Sequence, residues 1–145
     1  MPRSNEVQGA LEAALLPLCD FAIHVAAWSL LRARCSPLTT HMILRRAGAW
    51  LPVIESPDQA RVVARSLLRH GTCLSRSLAL AARAPSADVV IGVSPRQDAP
   101  LHAHAWIEMN GAPLEPTDVA GEEIARLRGR GSATPGVRAP IRIAK

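Results

Sequence analysis

Nearly half of the 145 residues are apolar but only 3% are aromatic, so the chain can bury one core, built mainly from Ala, Leu, Val and Ile, and is too short for two comfortable ones. The formal net charge of +5 is uneven: Arg126, Arg128, Arg130, Arg138, Arg142 and Lys145 follow Glu123 with no acidic residue among them. That tail carries no aromatic side chain to stack on bases, so nucleic acid is not the expected partner; a solvated tail, or a landing strip for an acidic peptide, are the two readings of its charge.

Asp20, His24, Arg32 and Arg34 interrupt or bound the apolar stretch from Phe21 to Leu31. That leaves it short of the roughly 18–20 uninterrupted residues of a bilayer span, and a soluble protein with no membrane partner is expected. Residues Met1 to Glu6 show no apolar signal core, and three cysteines are an odd number for a disulfide framework. Both features point to a reducing cytoplasm, with Cys19, Cys35 and Cys73 kept as thiols.

The first seventy residues read as helices. Val7, Leu11, Ala14 and Leu15 keep a helical spacing, and Pro17 is expected to break the chain before a second helix whose apolar stripe is Phe21, Val25, Trp28 and Leu31. Ser36-Pro37 reads as a turn, and a third helix covers Thr39 to Ala49. A fourth begins at Ser56-Pro57-Asp58, where Ser caps and Pro takes the first helical position, with Ala60, Val63 and Leu67 on the buried face. Gly71 breaks the pattern, and Thr72 caps a fifth helix with Cys73 in its first turn, Leu74, Leu78 and Ala81 inward, and an end before Pro85.

From there the period changes to two. Ala87 to Val93 is a short β-branched run, Ser94 to Pro100 a polar turn, and His102 to Met109 a second strand; Asn110-Gly111 is a hairpin signal and Ala112 to Leu114 starts a third strand. Gly121 to Leu127 reads as a short helix, and Gly129-Arg130-Gly131-Ser132 with Pro135 and Pro140 as a loosely held end. The fold class expected is α+β, a helical N-terminal half followed by an antiparallel meander packed on the Cys-bearing helix. Its organisation is a helical region over 1–70 and a core over 71–123, folding as one domain, then a basic tail over 124–145.

The chemistry gathers at Cys73 and His104. A thiol attacks as thiolate, and a helix start, with its unpaired N–H groups and partial positive charge, favours that ion. On the second strand His102, His104, Trp106 and Glu108 share one face, while Ala103, Ala105 and Ile107 share the other, which suits packing on helices. Three readings compete: a cysteine–histidine acyl-transfer site with a carboxylate from Glu115 or Asp118 orienting the imidazole; a metal site of His102, His104 and Cys73; or a buried apolar cysteine beside satisfied surface histidines. Cys19 and Cys35 read as packing residues, and His24, His41 and His70 as structural.

The helix-borne Cys73, Leu74, Arg76, Ser77, Ala79 and Leu80, followed by His104-Ala105-Trp106-Ile107-Glu108 and a short strand, resemble the transglutaminase-like cysteine proteases. Within them the pattern is most similar to the stand-alone leader peptidases of lasso-peptide biosynthesis, over about Gly71 to Asp118. The resemblance implies a papain/transglutaminase-like core, Cys73 as nucleophile and His104 as general base and acid, with neither metal nor other cofactor. Related transglutaminases commonly place Asp-Pro-Thr where this chain has Glu115-Pro116-Thr117, so Glu115 is the preferred third member and Asp118 the alternative. Arg76, Ser77, His102 and Trp106 are the candidates for lining the substrate groove.

The implied reaction removes the leader from a ribosomally made lasso precursor. Its implied partners are the precursor's leader region, a small precursor-recognition protein and an ATP-dependent lasso cyclase. A transglutaminase-like acyltransferase is the rival enzyme reading; a helical adaptor that binds an acidic peptide or nucleic acid through its basic tail is the non-catalytic one.

Overall fold

The computed structural model describes residues 4–67, 71–96, 99–114 and 122–130, with side chains described at 15–67, 71–93, 103–114 and 122–130. Four helices precede four strands: α1 Ser4–Arg32, α2 Pro37–Gly48, α3 Pro57–Leu67, α4 Cys73–Arg83, β1 Ala87–Arg96, β2 Ala99–Met109, β3 Ala112–Pro113 and β4 Glu122–Leu127. The strands form one antiparallel sheet in the order β3-β2-β1-β4. The fold is α+β, a helical layer packed on one face of that sheet, as a papain-like core requires.

Pro17 does not break the first helical segment: α1 runs unbroken through it for 29 residues. Pro17 is exposed, so the carbonyl that loses its N–H partner can turn to water, and tertiary docking outweighs the lost bond. Nor is the apolar stripe the buried one. Phe21, Val25 and Trp28 stand exposed, with the Arg32 guanidinium 4.9 Å from the Trp28 ring centre, while Asp20, Ile23, His24 and Ala27 face inward. Two polar groups decide that rotation, because a buried charge must be paired and a buried imidazole bonded. Asp20 is ion-paired to Arg83 at the end of α4, and His24 Nε2 lies 3.0 Å from Ser75 Oγ at its start. The window Leu15–Arg32 is long and apolar enough to cross a bilayer by length and composition, contrary to the residue-by-residue expectation, yet those two contacts sew it to α4.

Ser36 caps α2 rather than making a turn: its Oγ accepts the N–H of Thr39 at 3.1 Å, and Pro37 occupies the first helical position. Ser56 does the same for α3 through Gln59 N–H, as the sequence indicates. Alanine-rich α4 is the central element, with Leu78, Ala79, Leu80 and Ala81 buried against α1 and α2 on one side and β2 on the other. Fully burying a leucine such as Leu78 contributes about 1.5–3 kcal/mol over leaving it in water.

On the sheet, Ala87, Val89, Ile107 and Met109 join the helical core. Asn110 (φ 55°) and Gly111 (φ 77°) both take positive φ, which matches the twist of the β2–β3 hairpin they close. Residues 94–96 and 99–100, read from sequence as part of a polar turn, are strand, since β1 continues to Arg96 and β2 begins at Ala99. Residues 122–127 are likewise strand and not helix. Good helix formers there yield to the open edge of β1, with Val89 opposite Leu127 and Gly92 opposite Glu123. β4 thus reaches into the segment read from sequence as the start of the tail, and the Gly129 N–H still donates to Asp88 at 2.7 Å.

Candidate active site

Cys73 is the first residue of α4, and the turn that delivers it is tightly bonded. Thr72 is the N-cap, its hydroxyl accepting Ser75 N–H at 3.1 Å, while Ser75 Oγ accepts Thr72 N–H at 3.0 Å, a reciprocal capping box. Ser75 is fully buried, and His24 from α1 holds its hydroxyl from beneath. Gly71 (φ +73°) passes directly over that imidazole, where a Cβ would collide with His24 Nε2. The box satisfies the N–H of Ser75 and leaves those of Cys73 and Leu74 at the helix mouth, where they and the helix dipole favour a negative atom. Cys73 itself is half-buried, and Sγ makes no hydrogen bond among the described residues.

The opposing wall is β2. Its inward face, Ala105, Ile107 and Met109, is buried, as the alternation indicates, and α4 packs on it. His104 is half-buried and stacked with Trp106, ring centres 6.2 Å apart at 17°. The indole lies across Gly92 of β1, where even a methyl would sit 2.8 Å from its ring. Trp106 Nε1 donates to Glu108 at 3.1 Å, and Glu108 accepts from Arg126 at 2.7 Å. Arg126 also binds Asp88 and Glu123, which holds its guanidinium firmly in the charged form and Glu123 below the usual carboxylate range. A chain of directed contacts therefore runs from the imidazole through the indole to an ion-pair cluster on three strands.

Both candidate catalytic residues line one pocket. Its walls are Cys73, Arg76, Ser77 and Leu80 of α4, His104 to Ile107 of β2, Ala64 of α3 and Leu114. The cavity holds about 40 Å³, room for more than one water-sized group such as a carbonyl. Residues from both faces of β2 line it. That is geometrically possible because β3 covers only Glu108 and Met109, and Leu114 then donates to the Ile107 carbonyl at 3.0 Å.

The structure thus brings together Cys73, His104, Arg76, Ser77 and Trp106. No hydrogen bond joins the Cys73 thiol to the His104 imidazole, a contact that in an empty site commonly tightens only with substrate. Glu115, Asp118 and His70 lie outside the described residues, as does the side chain of His102. Among the described residues no three His, Cys, Asp or Glu side chains gather as a metal site would need.

Several supporting residues escaped the sequence reading. His24 was read only as structural, and nothing local announces that it supports the nucleophile's turn from 51 positions away. Arg61 of α3 fixes the end of the hairpin, its Nε donating to the Leu114 carbonyl at 3.1 Å.

A helix bearing a thiol at its first turn packs on an antiparallel sheet, and Cys73 and His104 both line the pocket between them. Residues 57–128, just under half of the chain, match the profile of the transglutaminase-like superfamily. Over those residues the chain is similar to the transglutaminase-like superfamily, whose members are generally cysteine peptidases or acyltransferases. No curated protein and no solved structure matches the chain.

Proposed function

We propose that this protein is a cytoplasmic cysteine peptidase that removes the leader from a ribosomally made lasso-peptide precursor. The observation that supports it best is the convergence on one pocket of Cys73, at the first position of a capped helix, and His104, in a His-Ala-Trp-Ile-Glu strand. In the proposed cycle His104 takes the proton of the Cys73 thiol and Sγ attacks the scissile carbonyl carbon. The resulting oxyanion accepts the Cys73 N–H at the helix mouth. Collapse breaks the C–N bond as His104 returns the proton to the departing amine, leaving a thioester. Water, deprotonated by His104, then attacks the acyl carbon and releases the carboxylate and the thiol.

Glu115 is the preferred carboxylate to orient His104, and Asp118 the alternative. The proposed partners are the leader region of the precursor, a small protein that recognises it, and an ATP-dependent cyclase that consumes the freed core.

The test is a reconstituted cleavage of precursor with its recognition protein, followed by mass spectrometry. Cys73→Ala is expected to lower the rate at least about 10³-fold with the fold intact, and His104→Ala by about 10²–10⁴-fold. Leader release by the Cys73→Ala protein at the native rate would overturn the reading. A product that gains the mass of an added amine in place of water would assign the chain to acyl transfer instead.

A further inference from the structure

A second concavity, sharing no residue with the catalytic pocket, lies at the other end of α4, about 15 Å along the helix axis from Cys73. This groove, about 1020 Å³, runs between α2, the α2–α3 connection, the end of α4 and the strand-end segment after β4. Its charge is one-sided. Arg83 and Arg126 are paired with carboxylates and Arg128 stands near Glu123, but the guanidinium groups of Arg46 and Arg130 make no ion pair with a described carboxylate. Arg45, half-buried, gives one N–H to the Pro85 carbonyl; burial, and Arg130 beside it, weaken its hold on its proton, while Asp88 offsets part of that repulsion.

The same walls are apolar. Trp50 is 91% exposed, and Leu38, Met42 and Val53 are each at least half exposed beside it. His41, only 4% exposed, lines the groove with an Nε2 that no described group satisfies. That nitrogen is itself enclosed, so His41 belongs to the groove's wall rather than to its contact surface.

We infer that this groove docks a segment of another protein that carries several carboxylates beside one or two bulky apolar side chains. Carboxylates relieve the arginines, and an apolar anchor covers Trp50 and Met42. A nucleic acid would leave four apolar walls unused and find a single exposed ring to stack on. A flat bilayer cannot fill a concavity, and the chain's own tail, with Arg138, Arg142, Lys145 and no acid, carries the wrong charge. The inference does not rest on the peptidase reading.

The probe is a fluorescein-labelled twelve-residue peptide alternating Glu and Leu, titrated into the full chain by anisotropy, with a Gln/Leu peptide, a twelve-nucleotide uridine RNA and phosphatidylserine vesicles as comparisons. The acidic peptide is expected to bind at least tenfold more tightly than the Gln/Leu peptide and to weaken as salt rises. Arg46→Glu with Arg128→Glu should cost at least tenfold and Trp50→Ala several-fold; all three side chains are exposed, and circular dichroism confirms folding. Cys73→Ala should bind as the native chain does. Equal affinity for the neutral peptide, indifference to the charge reversals, or tighter binding of RNA or vesicles would overturn the inference. So would a dimer that Arg46→Glu dissociates.

Discussion

The two ends of α4 are built on opposite electrostatic plans. At its start the bonds that shape the turn join Thr72, Ser75 and the imidazole of His24, and one arginine, Arg76, lines the pocket beside Cys73. At its end the fixing bond is a fully paired charge, Arg83 to Asp20, with Arg83 Nε on the Pro52 carbonyl at 3.0 Å, and several further arginines crowd the groove beyond. One end sets a single guanidinium near the thiol. The other stores positive charge for something to neutralise.

The sharpest way to break that contrast is at the buried ion pair. Asp20→Ala leaves Arg83 charged in the interior and should destabilise the fold by about 3–5 kcal/mol in urea unfolding, whereas Asp20→Leu with Arg83→Met should recover most of the loss. At the start of α4 the cost is smaller: Ser75→Ala removes one bond of the buried His24 and half of the capping box, an expected loss of about 1–3 kcal/mol by the same assay. The smallest effect is a pH signature of the groove end. Burial and the nearby Arg45 hold the His41 imidazole below its ordinary value of 6.5, with Asp88 pulling the other way. The unfolded chain then binds a proton that the folded chain refuses, so this group's effect is absent above about 6.5 and stability falls as the pH drops below it. Urea midpoints at pH 7.5 and 5 should diverge less in His41→Leu than in the native chain.

What the sequence showed, and what it hid, follows the range of the interactions. Thr72 as a cap, Cys73 in the first turn, the β-branched run at Ala87–Val93 and the Asn110-Gly111 hairpin are decided within a few residues, and all four are seen. The rotation of α1 is set instead by partners 51 and 63 residues away, so the stripe of Phe21, Val25 and Trp28 pointed the wrong way and Pro17 was given too much weight. The run Glu122–Leu127 has helical propensity, but its conformation is chosen by the vacant edge of β1 and by three acids waiting for Arg126. The convergence of Cys73 and His104 was legible because each residue announces itself on its own element. The arginine groove was not, because its walls come from four separate segments.

Arg126 has a consequence for the order of events in the chain's making. Asp88 and Glu108 stand opposite each other on β1 and β2, both close to one guanidinium that follows them in the chain by 38 and 18 residues. Until that residue is synthesised, the nascent hairpin holds two like charges face to face, which is unfavourable for directly opposed positions on a sheet. Completion of the sheet, and with it the seating of the indole beside His104, is thereby deferred until Arg126 has emerged, leaving the thiol-bearing helix without a finished partner wall before then.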